Sequence, residues 1–366
     1  MNHNIPSDVR EIMDAVHYRP SVSIILPFDV KVNAHKELSH SLKVAADKVE
    51  QELNNNYPAE MSELLMNKLR QLIRDVKIDT KGKSMALFVS PIFQKVYYLE
   101  VPVEEKIVVD DSFEIRDLVF NLKQKNHFLL MRLSSHICSL YLWNQGRFNK
   151  VITDQPMEVE AYLNEAPERV ANFSDMGDRK DIITQKFIQQ MDQVLGRVLK
   201  ENPLPVIVIG PDKVLGHFRQ VSKNISQACA FITGNYDESS YPELNQLIAP
   251  HVNQWRKDRQ DALIKDLEDA ANKRKLSVGM QEVWREVMNH NGRLMLVERD
   301  FMYPAQRGGD QTVINPLDNL SDESLYIRDA VDDAIEKLLS NGGDVEFVEP
   351  DALKDYGRIA LIQFYS

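Results

Sequence analysis

The sequence predicts a mixed α/β protein of three domains, and three observations carry that prediction. The chain has 366 residues, more than one hydrophobic core ordinarily organises. Hydrophobic residues make up 43% of it and charged residues 27%, the balance of a folded chain rather than a disordered one. Short apolar runs of strand character alternate with amphipathic stretches of helical period along its length. Breaks in that pattern divide it into an N-terminal α/β domain (1–125), a central domain (126–252) and a linker helix with a C-terminal α/β domain (253–366).

In the N-terminal domain, Ile5, Val9, Ile12, Met13 and Val16 recur at helical spacing over 6–16. The run at 21–28 is apolar and predicts a strand. Two helices are expected over 35–53 and 58–76, the second striped by Leu64, Leu65, Leu69, Leu72 and Ile73. Strands at 85–90 and 96–101 flank a turn at Pro91, and a short helix over 113–122 closes the domain. The central domain opens with 127–133 and 136–143, rich in aromatic and β-branched residues, and continues through Gln145-Gly146 into 147–152 as a three-stranded meander. Residues 154–181 are polar with little period, which predicts a long loop. Ile183, Phe187, Met191, Val194 and Val198 then stripe a helix that Pro203-Leu204-Pro205 ends. Val206 to Ile209 reads as a buried strand that turns sharply at Gly210-Pro211. A charged helix over 253–275 leads into the C-terminal domain. There the sequence predicts helices at 280–288 and 323–339, and strands at 293–298, 344–348 and 357–365. Asn341-Gly342-Gly343 is the stop signal of the second helix.

Composition narrows the function classes. A net charge of −11 argues against a coat for naked nucleic acid, because phosphate binding needs a positive surface, but it leaves room for docking through local basic patches. The polar N-terminus and the absence of any run near twenty apolar residues predict a cytoplasmic protein without membrane contact. The two cysteines, Cys138 and Cys229, lie in apolar runs and read as buried free thiols.

Several motifs resolve to ordinary structure. Gly82-Lys83-Ser84 lacks the earlier glycine of a phosphate loop, since Lys77 stands there, and a helix precedes it where a strand is needed. His136 and Cys138 share a predicted strand face, but no second pair completes a zinc site, so a packed histidine beside a buried thiol is the expectation. The carboxylates of 154–181 are irregularly spaced and read as an exposed acidic loop. If Asp175, Asp178 and Asp181 converged on cations, they would instead make the central sheet a metal-dependent nuclease or hydrolase. Lys68, Arg70, Arg74, Lys77, Lys81 and Lys83 form a basic stretch on a helix and its exit loop, a candidate for RNA phosphates beside the plainer reading of a solvated face. Gly308-Gly309-Asp310-Gln311 reads as an exposed turn.

A family resemblance rests on three stretches. His127-Phe128-Leu129-Leu130 through Val206-Ile207-Val208-Ile209-Gly210-Pro211 resembles the ribonuclease H-like central domain of the archaeo-eukaryotic release factor and Pelota family. Asn291-Gly292-Arg293-Leu294-Met295-Leu296-Val297, Asn341-Gly342-Gly343-Asp344-Val345 and Gly357-Arg358-Ile359-Ala360-Leu361-Ile362 resemble its C-terminal domain, related to kink-turn-binding ribosomal proteins. Ala86-Leu87-Phe88-Val89-Ser90-Pro91, with Tyr97-Tyr98-Leu99 to Val103, is similar to the N-terminal unit of the bacterial branch, type 3. The resemblance implies a ribosome-associated factor of rescue or hibernation type that contacts ribosomal RNA, with a delivering GTPase as a further candidate partner. Peptide release in the family depends on a Gly-Gly-Gln in the central loop. The matching loop here reads Asn-Phe-Ser-Asp-Met-Gly-Asp-Arg-Lys-Asp over 172–181, so release is not expected. No residue is assigned a catalytic or metal role, and no cofactor is implied. Gly177, Asp178, Arg179 and Lys180 would be the loop tip reaching toward the peptidyl-transferase region, with Lys68 to Lys83 facing the decoding side. A protein–protein adaptor is the third reading, and a large exposed apolar patch on the C-terminal domain would mark it.

Overall fold

The computed structural model describes residues 10–12, 19–28, 34–76, 82–123, 127–144, 146–153, 155–160, 176–317 and 326–365. They form a mixed α/β structure in two compact units, one made of 1–124 together with 262–366 and the other of 125–261. Both this division and the three-part sequence division break near residue 125. The first and last thirds of the chain share one unit.

The N-terminal part is an antiparallel sheet in the order β3-β2-β1-β4, from β1 (Ser21–Pro27), β2 (Ser84–Val89), β3 (Gln94–Leu99) and β4 (Lys106–Asp110). Two helices, α1 (Ala34–Asn56) and α2 (Ala59–Asp75), cover one face, where Val22, Ile24 and Leu26 meet Leu42, Val49 and Leu65. The opposite face, with Ile25, Ala86 and Phe88, packs onto the C-terminal part of the same unit. Burial on both faces explains why β1 and β2 read as continuous apolar runs although the sheet is antiparallel, which more often alternates. Strand β4 was not expected from the sequence. It is short, with half-buried Lys106 and Asp110 at its ends. Helix α3 (Arg116–Lys123) closes this part, starting three residues later than the pattern predicts.

The central unit holds a five-stranded sheet in the order β7-β6-β5-β8-β9. Strands β5 (His127–Leu133), β6 (Cys138–Asn144) and β7 (Arg147–Lys150) form the antiparallel meander, and β8 (Val206–Gly210) and β9 (Ala228–Thr233) extend β5 in parallel. This is the mixed sheet that the order of elements in the sequence predicts. Helices α4 (Met176–Glu201) and α5 (Asp212–Val221) cover one face through Phe187, Met191, Leu195 and Phe218. The start of α6 (Tyr241–Asn272) covers the other through Leu244, Ile248 and Val252. Those three recur every four residues, so α6 begins at Tyr241 rather than at the expected 253.

Gly210 permits the sharp end of β8. A Cβ there would lie 2.1 Å from the Leu133 carbonyl oxygen, a backbone atom that cannot swing aside. Gly210→Ala is expected to cost roughly 2–3 kcal/mol, as overpacking of a tight core does, read as a lower urea midpoint at unchanged slope.

The C-terminal part has a sheet in the order β10-β16-β11-β15, from β10 (Leu276–Val278), β11 (Gly292–Glu298), β15 (Asp344–Val348) and β16 (Ile359–Gln363). A small sheet of β12 (Ala305–Arg307), β13 (Ile314–Pro316) and β14 (Tyr326–Ile327) stands beside it, a feature the sequence pattern did not predict. Helices α7 (Gly279–Met288) and α8 (Ala330–Ser340) pack on one face of the larger sheet, and Leu267 and Ala270 of α6 cover the other. Helix α8 begins at 330 rather than 323, because Asp329 caps it by accepting from the Val331 N–H at 3.1 Å.

Candidate functional site

The expected loop tip at Gly177, Asp178, Arg179 and Lys180 is helical, because α4 begins at Met176. The backbone of these residues forms the first turns of α4, and their side chains lie outside the described residues. Asp175 also lies outside them, as does the Asp181 side chain, so the carboxylate triad of the hydrolase reading has no described geometry. Among the described residues no three His, Cys, Asp or Glu side chains form a cation-holding group.

The basic stretch divides. Lys68 donates to the carbonyls of Pro91 at 2.6 Å and Ser90 at 3.4 Å, tying α2 to the β2–β3 turn. The Arg70 guanidinium sits 2.8 Å from both oxygens of Glu50, an ion pair between α1 and α2. Arg74 is exposed in the last turn of α2, and Lys83 is exposed before β2 with its backbone in the sheet. Lys77 and Lys81 lie outside the described residues. Lys68 and Arg70 therefore hold the fold together.

His136 is not packed beside the thiol. Strand β6 starts at Cys138, and His136 is exposed in the turn before it, 2.7 Å from the Ser135 hydroxyl. Cys138 is buried, and burial pushes its thiol well up. Cys229 is half-buried on the edge strand β9, where burial pushes it up to about 11. Neither is a ready nucleophile, since the thiolate is the reactive form. Gly308 to Gln311 form the turn between β12 and β13, and the Gln311 carbonyl accepts from the Trp284 indole at 3.0 Å.

Sequence reasoning missed a buried charged cluster inside the first unit. Arg116, Asp329, Asp332 and Glu114 are all under 9% exposed. The Arg116 guanidinium lies 2.9 Å from an Asp329 oxygen and also donates to the Phe301 carbonyl. Asp332 accepts from the backbone N–H groups of Arg116 at 2.7 Å and Ile115 at 3.3 Å. Burial, then Glu114 and Asp329, hold the Asp332 carboxyl well above its usual range against the pull of Arg116. Burial also raises Glu114, against the pull of Lys106. Burial works against the Arg116 charge, but Asp329 and Asp332 outweigh it and raise its pKa. Next to this cluster is a cavity of about 470 Å³ lined by Arg19, Trp284, Arg307, Asp333, Glu336 and Lys337. Burial pushes Asp333 and Glu336 up to about 7, so both exchange protons near neutrality. The signal in the sequence was Asp329, Asp332 and Asp333 ahead of and inside an apolar helical stripe.

Comparison with known proteins places the central part of the chain. Residues 127–291 match the family model described as bacterial archaeo-eukaryotic release factor family 3. No curated protein matches the chain. Among solved structures, Saccharomyces cerevisiae Dom34, a translation termination-like factor involved in RNA quality control pathways and interacting with Hbs1, is 13% identical. That match covers 80% of this chain and 76% of Dom34 at a TM-score of 0.44. Pelota of Archaeoglobus fulgidus is 11% identical over 77% of this chain and 80% of its own, at 0.35. A model of ribosome-bound archaeal Pelota and ABCE1 is 12% identical over 100% and 95%, at 0.45. Residues 127–291 are thus similar to the bacterial archaeo-eukaryotic release factor family.

Proposed function

We propose that this protein is a ribosome-associated factor of Pelota-like type, acting in rescue or hibernation and not in peptide release. The observation that carries the reading is the family match over 127–291, which takes in the central sheet, helices α4 to α7 and strand β10. The sequence holds no Gly-Gly-Gln tripeptide, and that is the residue set on which the family's release chemistry depends. In this reading the protein occupies the tRNA-binding region in the cytoplasm, with the start of α4 toward the peptidyl-transferase region. Arg179 and Lys180 would there meet ribosomal RNA, and a GTPase would deliver the factor. Arg74 and Lys83, both exposed, are described candidates on the decoding side.

The test is co-sedimentation with ribosomes, vacant or carrying mRNA and tRNA, across a range of salt. Binding is expected to fall as salt rises, and Arg179→Glu with Lys180→Glu is expected to lower the salt slope by about 2, about one per lost phosphate contact. Preference for vacant ribosomes would indicate hibernation, and preference for ribosomes stalled on mRNA would indicate rescue. Incubation with ribosomes carrying peptidyl-tRNA is expected to release no peptide. If no ribosomal state pellets the protein at low salt, the reading fails.

A further inference from the structure

A groove at the far end of α4 from Gly177 to Lys180 has the chemistry of a polynucleotide site. The two ends are about 30 Å apart at 1.5 Å per helical residue, so this is a different surface from the one the family resemblance marks. The groove consists of two cavities, of about 630 and 370 Å³, that share Pro203 and Gln227 on their walls.

The larger cavity carries Arg197, Lys200 and Lys223, all exposed and with no ion-pair partner among the described residues. Arg197 and Lys200 sit in the last turns of α4, where cations also complement the helix dipole. That accounts for those two but not for Lys223, which arrives on the segment after α5. Asp192 fixes that segment. It accepts from the Ser222 hydroxyl at 2.6 Å and the Lys223 N–H at 2.9 Å, while its own carbonyl accepts from the Asn224 side chain at 2.9 Å. Gly196 lets Asn224 come so close, since a Cβ there would lie 3.0 Å from the Asn224 amide nitrogen. Among the described residues lining the two cavities, Asp192 is the sole carboxylate, and it is buried at 3% exposure. In a chain of net charge −11, three convergent cations around one buried, hydrogen-bonded acid make a local reversal of sign.

The smaller cavity adds an aromatic wall. Trp255 packs edge-on against Phe128 at 5.1 Å and is half-buried, and the Arg259 guanidinium stands 5.6 Å from its ring. The remaining surface of Trp255 lines the cavity beside Pro203, Pro205 and Gln227. Cations along a groove that ends on an indole held by the core are the two components of single-strand recognition: charge for the phosphates and a π-face for a base. An acidic protein partner would use the cations but has no need of the indole and the amides.

We propose that this groove binds a single-stranded polynucleotide, with Arg197, Lys200 and Lys223 on phosphates and Trp255 stacked on a base. The proposal is read from the groove and does not require a ribosome.

The test uses the full chain and fluorescent twelve-residue oligouridylate and oligothymidylate, followed by anisotropy at several salt concentrations. The wild type is expected to bind, with affinity falling as salt rises. The Arg197→Glu, Lys200→Glu, Lys223→Glu triple variant is expected to bind at least about 10-fold more weakly, with the slope of log affinity against log salt shallower by about 2, three contacts at about 0.7 each for a single strand. Trp255→Leu is expected to bind about 10-fold more weakly with the slope unchanged, because stacking is not ionic. If that variant does not fold, the charge variants on exposed positions carry the test alone. Tighter binding of the uridylate would identify RNA as the source, and equal binding the backbone and bases that both share. The proposal is overturned if the wild type binds neither oligonucleotide at low salt, if the triple variant keeps affinity and slope, or if polyglutamate of equal charge displaces the oligonucleotide as well as RNA does. Because no ribosome is present, a failure here leaves the co-sedimentation result standing, and the reverse also holds.

Discussion

Replacing Arg116 with methionine is expected to remove about 3–5 kcal/mol of stability, the cost of leaving a buried charge without its partner. Asp329 would lose the guanidinium 2.9 Å from its carboxylate, and the Phe301 carbonyl would lose a donor. Asp332, already held above its usual range by burial and two neighbouring carboxyls, would lose the guanidinium that favours its ionisation. The same cluster joins segments 216 residues apart, since the Asp332 carboxylate accepts from the Arg116 N–H. The loss should therefore weaken the contact between the first and last thirds of the chain. Urea unfolding measures it. Arg285→Met is the control, because Arg285 is exposed and its partner is the adjacent Glu286, and such surface pairs contribute about 0–1 kcal/mol. Adding Asp329→Asn to Arg116→Met should recover part of the loss by removing the stranded charge. A loss below about 1 kcal/mol for Arg116→Met would show that the cluster is held by packing and not by the ion pair.

Stability is expected to fall between about pH 4 and about pH 7, with Asp333 and Glu336 as the source. Burial is the first cause of both raised values, which lie at about 7. For Asp333 the carboxyls of Asp110 and Glu336 add to it and Arg307 opposes it, while Lys337 opposes it for Glu336. In the unfolded chain both groups titrate near their ordinary values of about 4. Between about pH 4 and 7 the folded protein thus keeps protons that the unfolded chain has released. The stability these groups give is complete below about 4 and is lost as pH rises through about 7. Three units on one group correspond to about 4 kcal/mol at the limit, and partial exposure to solvent lowers what is measured to about 2–4 kcal/mol for the pair. The Asp333→Asn, Glu336→Gln double variant should therefore lose less stability than the wild type over that range. Parallel pH profiles for the two proteins would show that both carboxyls titrate at ordinary values.

The elements most legible in the sequence were those whose burial follows one period. The stripe Phe187, Met191, Val194 and Val198 marked α4, and the apolar run at 206–209 marked β8. Helix α4 nonetheless starts at Met176, where the polar sequence has no stripe to announce it. Strand β4 and the small sheet of β12 to β14 were missed because short strands with polar ends carry too few apolar positions to set a period. The start of α6 was missed for a different reason. Leu244, Ile248 and Val252 are a readable stripe, but the charged residues that follow drew the boundary to 253. For the site, the family resemblance was legible from the order of short motifs, and residues 127–291 bear it out. The division of labour among the basic residues was not. Lys68 and Arg70 look alike as letters beside Arg74, and only their neighbours, Pro91 and Glu50, distinguish fold from surface.

By itself, then, the sequence determined the mixed α/β class, most strands and helices, and a resemblance to a release-factor family whose release tripeptide is missing. Local periodicity and short motifs are properties of neighbouring residues, and they survive without knowledge of the partner surface. The tertiary structure alone decided that both faces of the N-terminal sheet are buried, that Arg116 meets Asp329 and Asp332, and that Arg197, Lys200 and Lys223 line one groove that continues to Trp255. Those facts join residues tens to hundreds of positions apart. Periodicity shows that a face is covered, but what covers it depends on contacts between distant segments, which leave no mark in the local pattern.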